Sequence, residues 1–135
     1  MNFTAHIQRI IHPRTDTPEA AWKAAANSTY ASAILAANRM LFGGLLLFTP
    51  LPIKQGLAYL GVGFVYTILA CLAYRRSRLA STVIMVLTVL EAMIEMSLAP
   101  GYRFNFFIIA VAFVLAVGGL RGANAVFAHH RKSRP

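Results

Sequence analysis

The chain contains 135 residues, of which 58% are hydrophobic and 13% are charged, and its formal net charge is +9. This length fits one domain, and the mean hydropathy of +0.60 excludes an ordinary water-soluble protein. The single cysteine, Cys71, excludes an internal disulfide, and it lies in an apolar stretch where we expect it to pack.

The first 17 residues predict a cytoplasmic or interfacial segment. Residues 2–12 place apolar side chains at the spacing of one helical face, which indicates a short amphipathic helix. These side chains belong to Phe3, Ile7, Ile10 and Ile11. Such a helix lies on a membrane surface or docks under the bundle, and a frayed tail is the alternative. Polar residues interrupt the segment, so we expect no cleavable signal peptide.

Four apolar windows follow, each about 20 residues long, the length that crosses roughly 30 Å of hydrocarbon at 1.5 Å per residue. Thr17 as a cap and Pro18 in the first turn predict that the first helix begins before its window. Because the connections are short, successive helices should be antiparallel neighbours. The predicted fold is an all-α, integral membrane four-helix antiparallel bundle over residues 18–128, followed by a basic tail over residues 129–135. The windows cover residues 30–49, 55–74, 79–99 and 104–125.

Basic residues are distributed unequally between the two sides of these windows. Nine lie before the first window, in the second connection and in the C-terminal tail, against two in the other connections. This asymmetry predicts that both termini are cytoplasmic. Anionic headgroups supply the counter-charge, so membrane lipids are the expected partners and nucleic acid is not. The residues expected to contact anionic lipid are Arg75, Arg76, Arg78, Arg131, Lys132 and Arg134.

Two polar pairs interrupt the apolar windows. Asn38 and Arg39 lie in the first window, and Glu91 and Glu95 lie one helical turn apart in the third. An arginine within hydrocarbon costs about 2.5–3.5 kcal/mol on insertion scales, so Arg39 needs a partner. Counted from the cytoplasmic ends, Arg39 lies about 14 Å deep, Glu91 about 18 Å and Glu95 about 24 Å. These depths favour an ion pair between Arg39 and Glu91.

Two interpretations of this polar stripe remain open. In the structural interpretation, the ion pair fixes helix register inside an otherwise dry bundle. In the functional interpretation, Glu91 and Glu95 line a polar cavity and exchange a proton or a cation with the external side, with Arg39 as the counter-charge. The available arginine partner favours the structural interpretation.

Small residues in the windows predict helix contacts, because helices in lipid associate through close backbone approach. Packing within one chain is the favoured role, and packing between chains is the alternative. The candidates are Gly43, Gly44, Gly61, Gly63, Gly118 and Gly122.

Patterns for catalysis and metal binding are weak in this sequence. Ser97 is the best-placed hydroxyl, but no base lies one helical turn away, and no phosphate-binding glycine-rich loop is present. The four histidines lack the spacing of a metal motif, and none lies in a window where it could hold a haem between spans. We therefore predict no enzyme activity, no metal site and no cofactor.

The C-terminal stretch LRGANAVFAHHR carries Arg121, Gly122, Phe127, His130 and Arg131, and the stretch YRRSR covers residues 74–78. In these two stretches the chain resembles small uncharacterised bacterial inner-membrane proteins with four spans. The resemblance implies a bacterial inner membrane, and it brings no activity and no site residues with it.

Taken together, these patterns favour a non-enzymatic accessory or partner-binding component of the membrane, whose small-residue faces meet other spans or a second copy of the chain. The alternative is a small transporter or channel that uses Glu91 and Glu95 as proton or cation sites. Four short helices enclose little room, so such a transporter would be oligomeric.

Overall fold

The computed structural model describes residues 3–50, 53–97 and 105–132, and no strand occurs in these ranges. The described chain forms α1 (Phe3–Ile11), α2 (Pro18–Leu47), α3 (Ile53–Tyr74), α4 (Arg78–Ser97) and α5 (Phe106–Lys132). Helices α2 to α5 are long and apolar enough to cross a membrane. The all-α prediction and the four candidate spans are therefore confirmed, and the four apolar helices indicate a multi-pass membrane protein.

The beginning of α2 matches the cap that the sequence predicts. The Thr17 hydroxyl accepts a hydrogen bond from the Ala20 amide at 3.2 Å, and Pro18 occupies the first turn. Glu19 lies where the helix dipole favours an acidic residue, and it pairs with Lys23 at 2.8 Å on the exposed surface. As a result, α2 begins well before its apolar window.

A tight turn joins α3 to α4. The Arg76 amide donates to the Ala73 carbonyl at 2.8 Å and the Ser77 amide donates to the Leu72 carbonyl at 3.3 Å, which is the hydrogen-bond pattern of a Schellman C-cap. Arg76 takes the left-handed position of this cap, with a φ of 62°, where glycine is usual. The Ser77 hydroxyl accepts from the Ala80 amide at 3.2 Å and caps α4. One helix thus starts where the other ends.

Glycines allow α2 and α3 to pack closely. A Cβ on Gly43 would come within 2.9 Å of Leu60, and a Cβ on Gly63 would come within 2.8 Å of an α2 side chain, closer than side chains normally pack. The Ser32 hydroxyl of α2 also donates to the Tyr66 carbonyl of α3 at 2.7 Å. Gly43 and Gly63 therefore lie where α2 and α3 approach each other closely.

A second glycine face lies between α5 and α2. A Cβ on Gly119 would overlap Ser28, and a Cβ on Gly122 would overlap the α2 backbone. Gly118 approaches the Ile10 carbonyl, so α1 docks against α5 at this level. Of the arrangements open for the N-terminal helix, the structure has the docked one.

Gly44 and Gly61 take no part in these contacts. No described residue places an atom within 4 Å of a Cβ built on either glycine. Gly61 is exposed and Gly44 is half-buried. Packing within the chain, the favoured prediction, therefore does not explain these two residues.

The four long helices form a bundle in which α2 contacts both α3 and α5. Helix α4 contacts α5 closely and α3 more loosely. The core is largely alanine, with larger side chains such as Leu35 and Ile84 between the helices. Outside the bundle, Leu41, Phe64 and Phe107 are each 60% or more exposed. Such a large apolar exterior is typical of a surface that faces lipid.

Candidate functional site

An ion pair between α2 and α4 forms the centre of the candidate site. Arg39 Nε donates to Glu91 Oε1 at 3.2 Å, and Arg39 Nη2 lies 3.0 Å from Glu91 Oε2. Both residues are 9% exposed. The two-point geometry uses the planar fork of the guanidinium, which suits a carboxylate. The structure therefore brings together the two residues that the depth count pairs.

An aromatic ring completes the surroundings of the guanidinium. Arg39 lies over the ring of Tyr59 on α3, with 5.1 Å between the guanidinium carbon and the ring centroid. A cation over an aromatic face is attracted by the ring quadrupole, and the attraction grows when both groups are desolvated. Two helices, α3 and α4, thus hold the positive charge that α2 supplies.

Glu95 lies one turn further along α4 and has a different environment. It is 5% exposed, and its Oε2 has no hydrogen-bond partner in the described part of the chain. The amide nitrogen of Asn38 is likewise buried without a described partner. Of the two glutamates, Glu91 is therefore compensated by Arg39, while Glu95 has a buried carboxylate oxygen with no described partner.

A cleft of about 220 Å³ opens beside the ion pair. It lies where α3 and α4 pack loosely, and exposed residues of both helices form its rim. Only Arg39 and Glu91 among its lining residues carry charge. The lining residues are Arg39, Ala58, Tyr59, Val62, Glu91 and Ile94. The pair therefore has one edge directed to the outside of the bundle and not into its core.

Tyr59 and Tyr66 contribute to this region and were not predicted from the sequence. Tyr66 is 1% exposed, and its hydroxyl lacks a described hydrogen-bond partner. The sequence does indicate that these tyrosines need partners, because a tyrosine in the middle of an apolar helix places a hydroxyl where water is absent. It does not indicate which face of the helix each tyrosine occupies.

The basic residues that the sequence assigns to anionic lipid gather at one end of the bundle. We call this the basic end: the first turns of α2, the turn between α3 and α4, and the last turns of α5. Two of its guanidinium groups lie over aromatic rings, Arg76 over Trp22 at 4.9 Å and Arg78 over Phe127 at 5.4 Å. Arg75, Arg131 and Lys132 are exposed nearby. Arg134 lies outside the described residues.

The histidines at this end bind to other parts of the chain. His129 Nε2 donates to the Thr15 carbonyl at 3.0 Å, and His130 Nδ1 donates to a carbonyl of its own helix at 3.0 Å. His12 Nδ1 contacts a guanidinium nitrogen of Arg121. Within the described ranges, no three histidine, cysteine or acidic side chains come close enough to hold a metal ion.

No arrangement for nucleophilic catalysis accompanies these groups in the described ranges. The Ser97 hydroxyl donates to the Ile94 carbonyl at 2.6 Å, a bond within its own helix. The chain matches no family model, and comparison with curated proteins and with solved structures gives no match either. Function therefore has to be inferred from the residues of the two regions described above.

Proposed function

We propose that this chain is a non-enzymatic accessory component of a bacterial inner membrane that binds another membrane protein within the bilayer. Successive spans run antiparallel, and both termini and the basic end lie in the cytoplasm. Nine basic residues on one side against two on the other support this orientation. Two contacts support an antiparallel order of α2 and α3: Ser32 lies next to Tyr66, and Gly43 lies next to Leu60. Residues later in α2 thus contact residues earlier in α3.

The cleft beside Arg39 and Glu91 is the observation that carries this proposal. In hydrocarbon, polar groups that lack a hydrogen-bonding neighbour cost several kcal/mol in total. Arg39 and Glu91 compensate each other, so the pair adds no net charge, but its outer edge is left facing Val62 and Ile94 on the rim of the cleft. A neighbouring span with a neutral polar side chain would cover that edge.

The occupant that fits is a transmembrane helix carrying an amide or hydroxyl side chain at the depth of the pair. A charged group is disfavoured, because Arg39 and Glu91 already neutralise each other at 3.0 Å. The volume of about 220 Å³ accepts a side chain and not a whole helix. Loose packing between α3 and α4 leaves the cleft accessible from the plane of the membrane.

Site-specific photocrosslinking in native membranes tests this assignment. A benzophenone amino acid replaces Val62 in one variant and Ile94 in another, since these residues line opposite sides of the cleft. Phe64 is the matched control, because it is also exposed on α3. It lies two residues after Val62, so its side chain points about 200° away from that of Val62 around the helix axis. We expect both cleft positions to yield an adduct with the same protein, at the same mass.

The pattern of adducts decides the proposal. An adduct that forms at Val62 and Ile94 but not at Phe64 supports a partner span in the cleft. An adduct of twice the mass of this chain at both cleft positions identifies a second copy as the partner. Adducts with lipid alone, or equal yields of protein adduct at Phe64, overturn the partner-binding proposal.

The unpartnered Oε2 of the buried Glu95 favours a second candidate function, an oligomeric transporter or channel for protons or cations. In this function Glu95 binds the ion, and Arg39, paired with Glu91, supplies the positive charge that balances the glutamates. Proton and monovalent-cation flux into proteoliposomes measures it directly, under an imposed gradient and potential. Flux above that of empty liposomes that disappears in Glu95→Gln would place transport ahead of partner binding, whereas equal silence of the wild type, Glu91→Gln and Glu95→Gln would eliminate transport.

A further inference from the structure

A cavity of about 530 Å³ lies at the basic end of the bundle. Its walls come from three separate parts of the chain: the start of α2, the turn between α3 and α4, and the end of α5. Its lining includes Trp22, Arg75, Arg76, Arg78, Phe127 and Arg131. This volume lies within the usual range of small-molecule sites, about 300–1,000 Å³.

The cavity is positive and lacks an acidic residue to balance it. Four arginines line it, and no carboxylate does. The chain has only four acidic residues, and two of them already pair with basic groups elsewhere, Glu19 with Lys23 and Glu91 with Arg39. Convergent guanidinium groups without a counter-charge repel one another, so an anion bound among them would be stabilising.

Arg76 shows that this positive charge is positioned and not merely exposed. Its Nε and Nη1 are buried and have no hydrogen-bond partner in the described part of the chain. Its guanidinium lies 4.9 Å from the centroid of the Trp22 ring, so an aromatic face holds the group in place. Its backbone has a φ of 62°, a conformation that costs a non-glycine residue roughly 1–2 kcal/mol. The turn thus retains an arginine where glycine would fit better.

Arg78, from the same turn, repeats this arrangement against α5. Its guanidinium carbon lies 5.4 Å from the centroid of the Phe127 ring. An arginine held against an aromatic face keeps its planar fork in one orientation, and less freedom is then lost when the fork binds a ligand. Two guanidinium groups from one turn, each held against an aromatic ring of a different helix, match an anion with several acceptor oxygens.

We propose that this cavity is a binding site for a phosphoryl anion, the headgroup of an anionic phospholipid or a free phosphate compound. Phosphate oxygens accept paired bonds from guanidinium forks, and the aromatic rings of Trp22 and Phe127 suit the apolar remainder of such a ligand. Basic pockets between spans at a membrane surface have the chemistry that anionic headgroups require. This site is separate from the cleft at Arg39, and it does not depend on the partner proposed there.

The fluorescence of Trp22 provides the measurement, because this is the sole tryptophan in the chain and it lines the cavity. Protein in neutral detergent is titrated with sodium pyrophosphate and, separately, with short-chain phosphatidylglycerol. Sodium chloride at equal ionic strength and short-chain phosphatidylcholine serve as controls. We expect a saturable change in emission with at least one of the two phosphoryl probes and none with either control.

Arg76→Gly is the informative variant. It removes the buried guanidinium but suits the left-handed turn, so the fold should be retained. We expect it to weaken binding about tenfold or more, since a charge-assisted hydrogen bond contributes about that much. The matched control is Lys132→Ala, which removes one positive charge at the same end from a residue outside the cavity lining.

Each outcome decides the proposal. Saturation with phosphatidylglycerol alone, weakened by Arg76→Gly and not by Lys132→Ala, establishes a lipid headgroup site. The same pattern with pyrophosphate alone establishes a site for a free phosphate compound, and with both probes it establishes the shared phosphoryl chemistry. Equal weakening by the two variants shows diffuse charge attraction and overturns the proposal, as does a response no larger than that to chloride.

Discussion

The ion pair at Arg39 and the cavity at the basic end both hold an arginine against an aromatic ring, but only Arg39 has a negative charge beside it. In both places a guanidinium lies over an aromatic ring, at 5.1 Å over Tyr59 and at 4.9 Å over Trp22. Arg39 has Glu91 at 3.0 Å, whereas two nitrogens of Arg76 have no described acceptor. Between the spans no water is available, so the counter-charge has to come from the protein. At the membrane surface it can come from a ligand.

The largest effect should follow from breaking the compensated pair. Arg39→Ala leaves Glu91 buried without its partner, and we expect a loss of about 3–5 kcal/mol in the free energy of unfolding. The double variant Arg39→Met with Glu91→Leu removes both charges at similar volume and should recover most of this loss. Unfolding in detergent measures both variants. If the double variant is as unstable as the single one, charge compensation is not what stabilises this part of the bundle.

The next largest effect on stability should come from the glycine face between α5 and α2. Gly119→Ala places a methyl group against the Ser28 backbone, and we expect a loss of about 1–3 kcal/mol from overpacking. Gly61→Ala is the control, because it meets no described atom within 4 Å and should be neutral or stabilising by up to about 1 kcal/mol. Thermal unfolding of the two variants in the same detergent tests this difference. Equal destabilisation would show that Gly61 also lies at a contact in the membrane.

A smaller effect of opposite sign should occur at the uncompensated arginine. Arg76→Gly relieves the left-handed backbone at φ 62° and should raise the unfolding free energy by about 1 kcal/mol in the absence of ligand. The same measurement in anionic lipid should show a smaller gain, because the variant has lost its acceptor-binding group. A clear loss of stability in neutral detergent would show that Arg76 stabilises the turn through contacts with the protein alone.

The smallest effect should come from Glu95→Gln. Glutamine keeps the size and shape of the glutamate side chain, and Glu95 forms no ion pair in the described part of the chain, so we expect a change within about 0.5 kcal/mol in unfolding free energy. Glu91→Gln, on the same face of α4, should cost several times more because it removes the charge that compensates Arg39. Unfolding of the two variants side by side gives the comparison. Similar losses would mean that both carboxylates share the positive charge of Arg39.

The sequence predicts the spans and the central pair because both follow from the hydrocarbon itself. An arginine in the middle of an apolar window must find an acid at matching depth, and a rise of about 1.5 Å per residue identifies Glu91 as that acid. The Thr17 cap is predicted as well, because a hydroxyl three residues before an amide of the first turn is a local pattern. These features require only distance along a helix axis.

Features that depend on rotation about the axis are not predicted. Gly43 and Gly44 are adjacent in sequence, yet a Cβ on the first would crowd Leu60 while a Cβ on the second would meet nothing described. The neighbours of Trp22 cannot be predicted from the sequence either, because the Arg76 guanidinium that contacts its ring lies 54 positions away in the chain. Composition alone does not tell which face of a helix meets which neighbour in lipid, where nearly every face is apolar.

The turn at Arg76 and Ser77 has a mechanical consequence for the rest of the bundle. It fixes the ends of α3 and α4 to each other, while the two helices pack only loosely beyond it. Ile94, on the rim of the cleft, lies 17 residues along α4 from Ser77, a distance of about 25 Å. A rotation of one degree about the turn therefore moves the rim by about 0.4 Å. A small change in the angle between the two helices at this turn, beside the cavity at the basic end, thus corresponds to a larger displacement at the cleft.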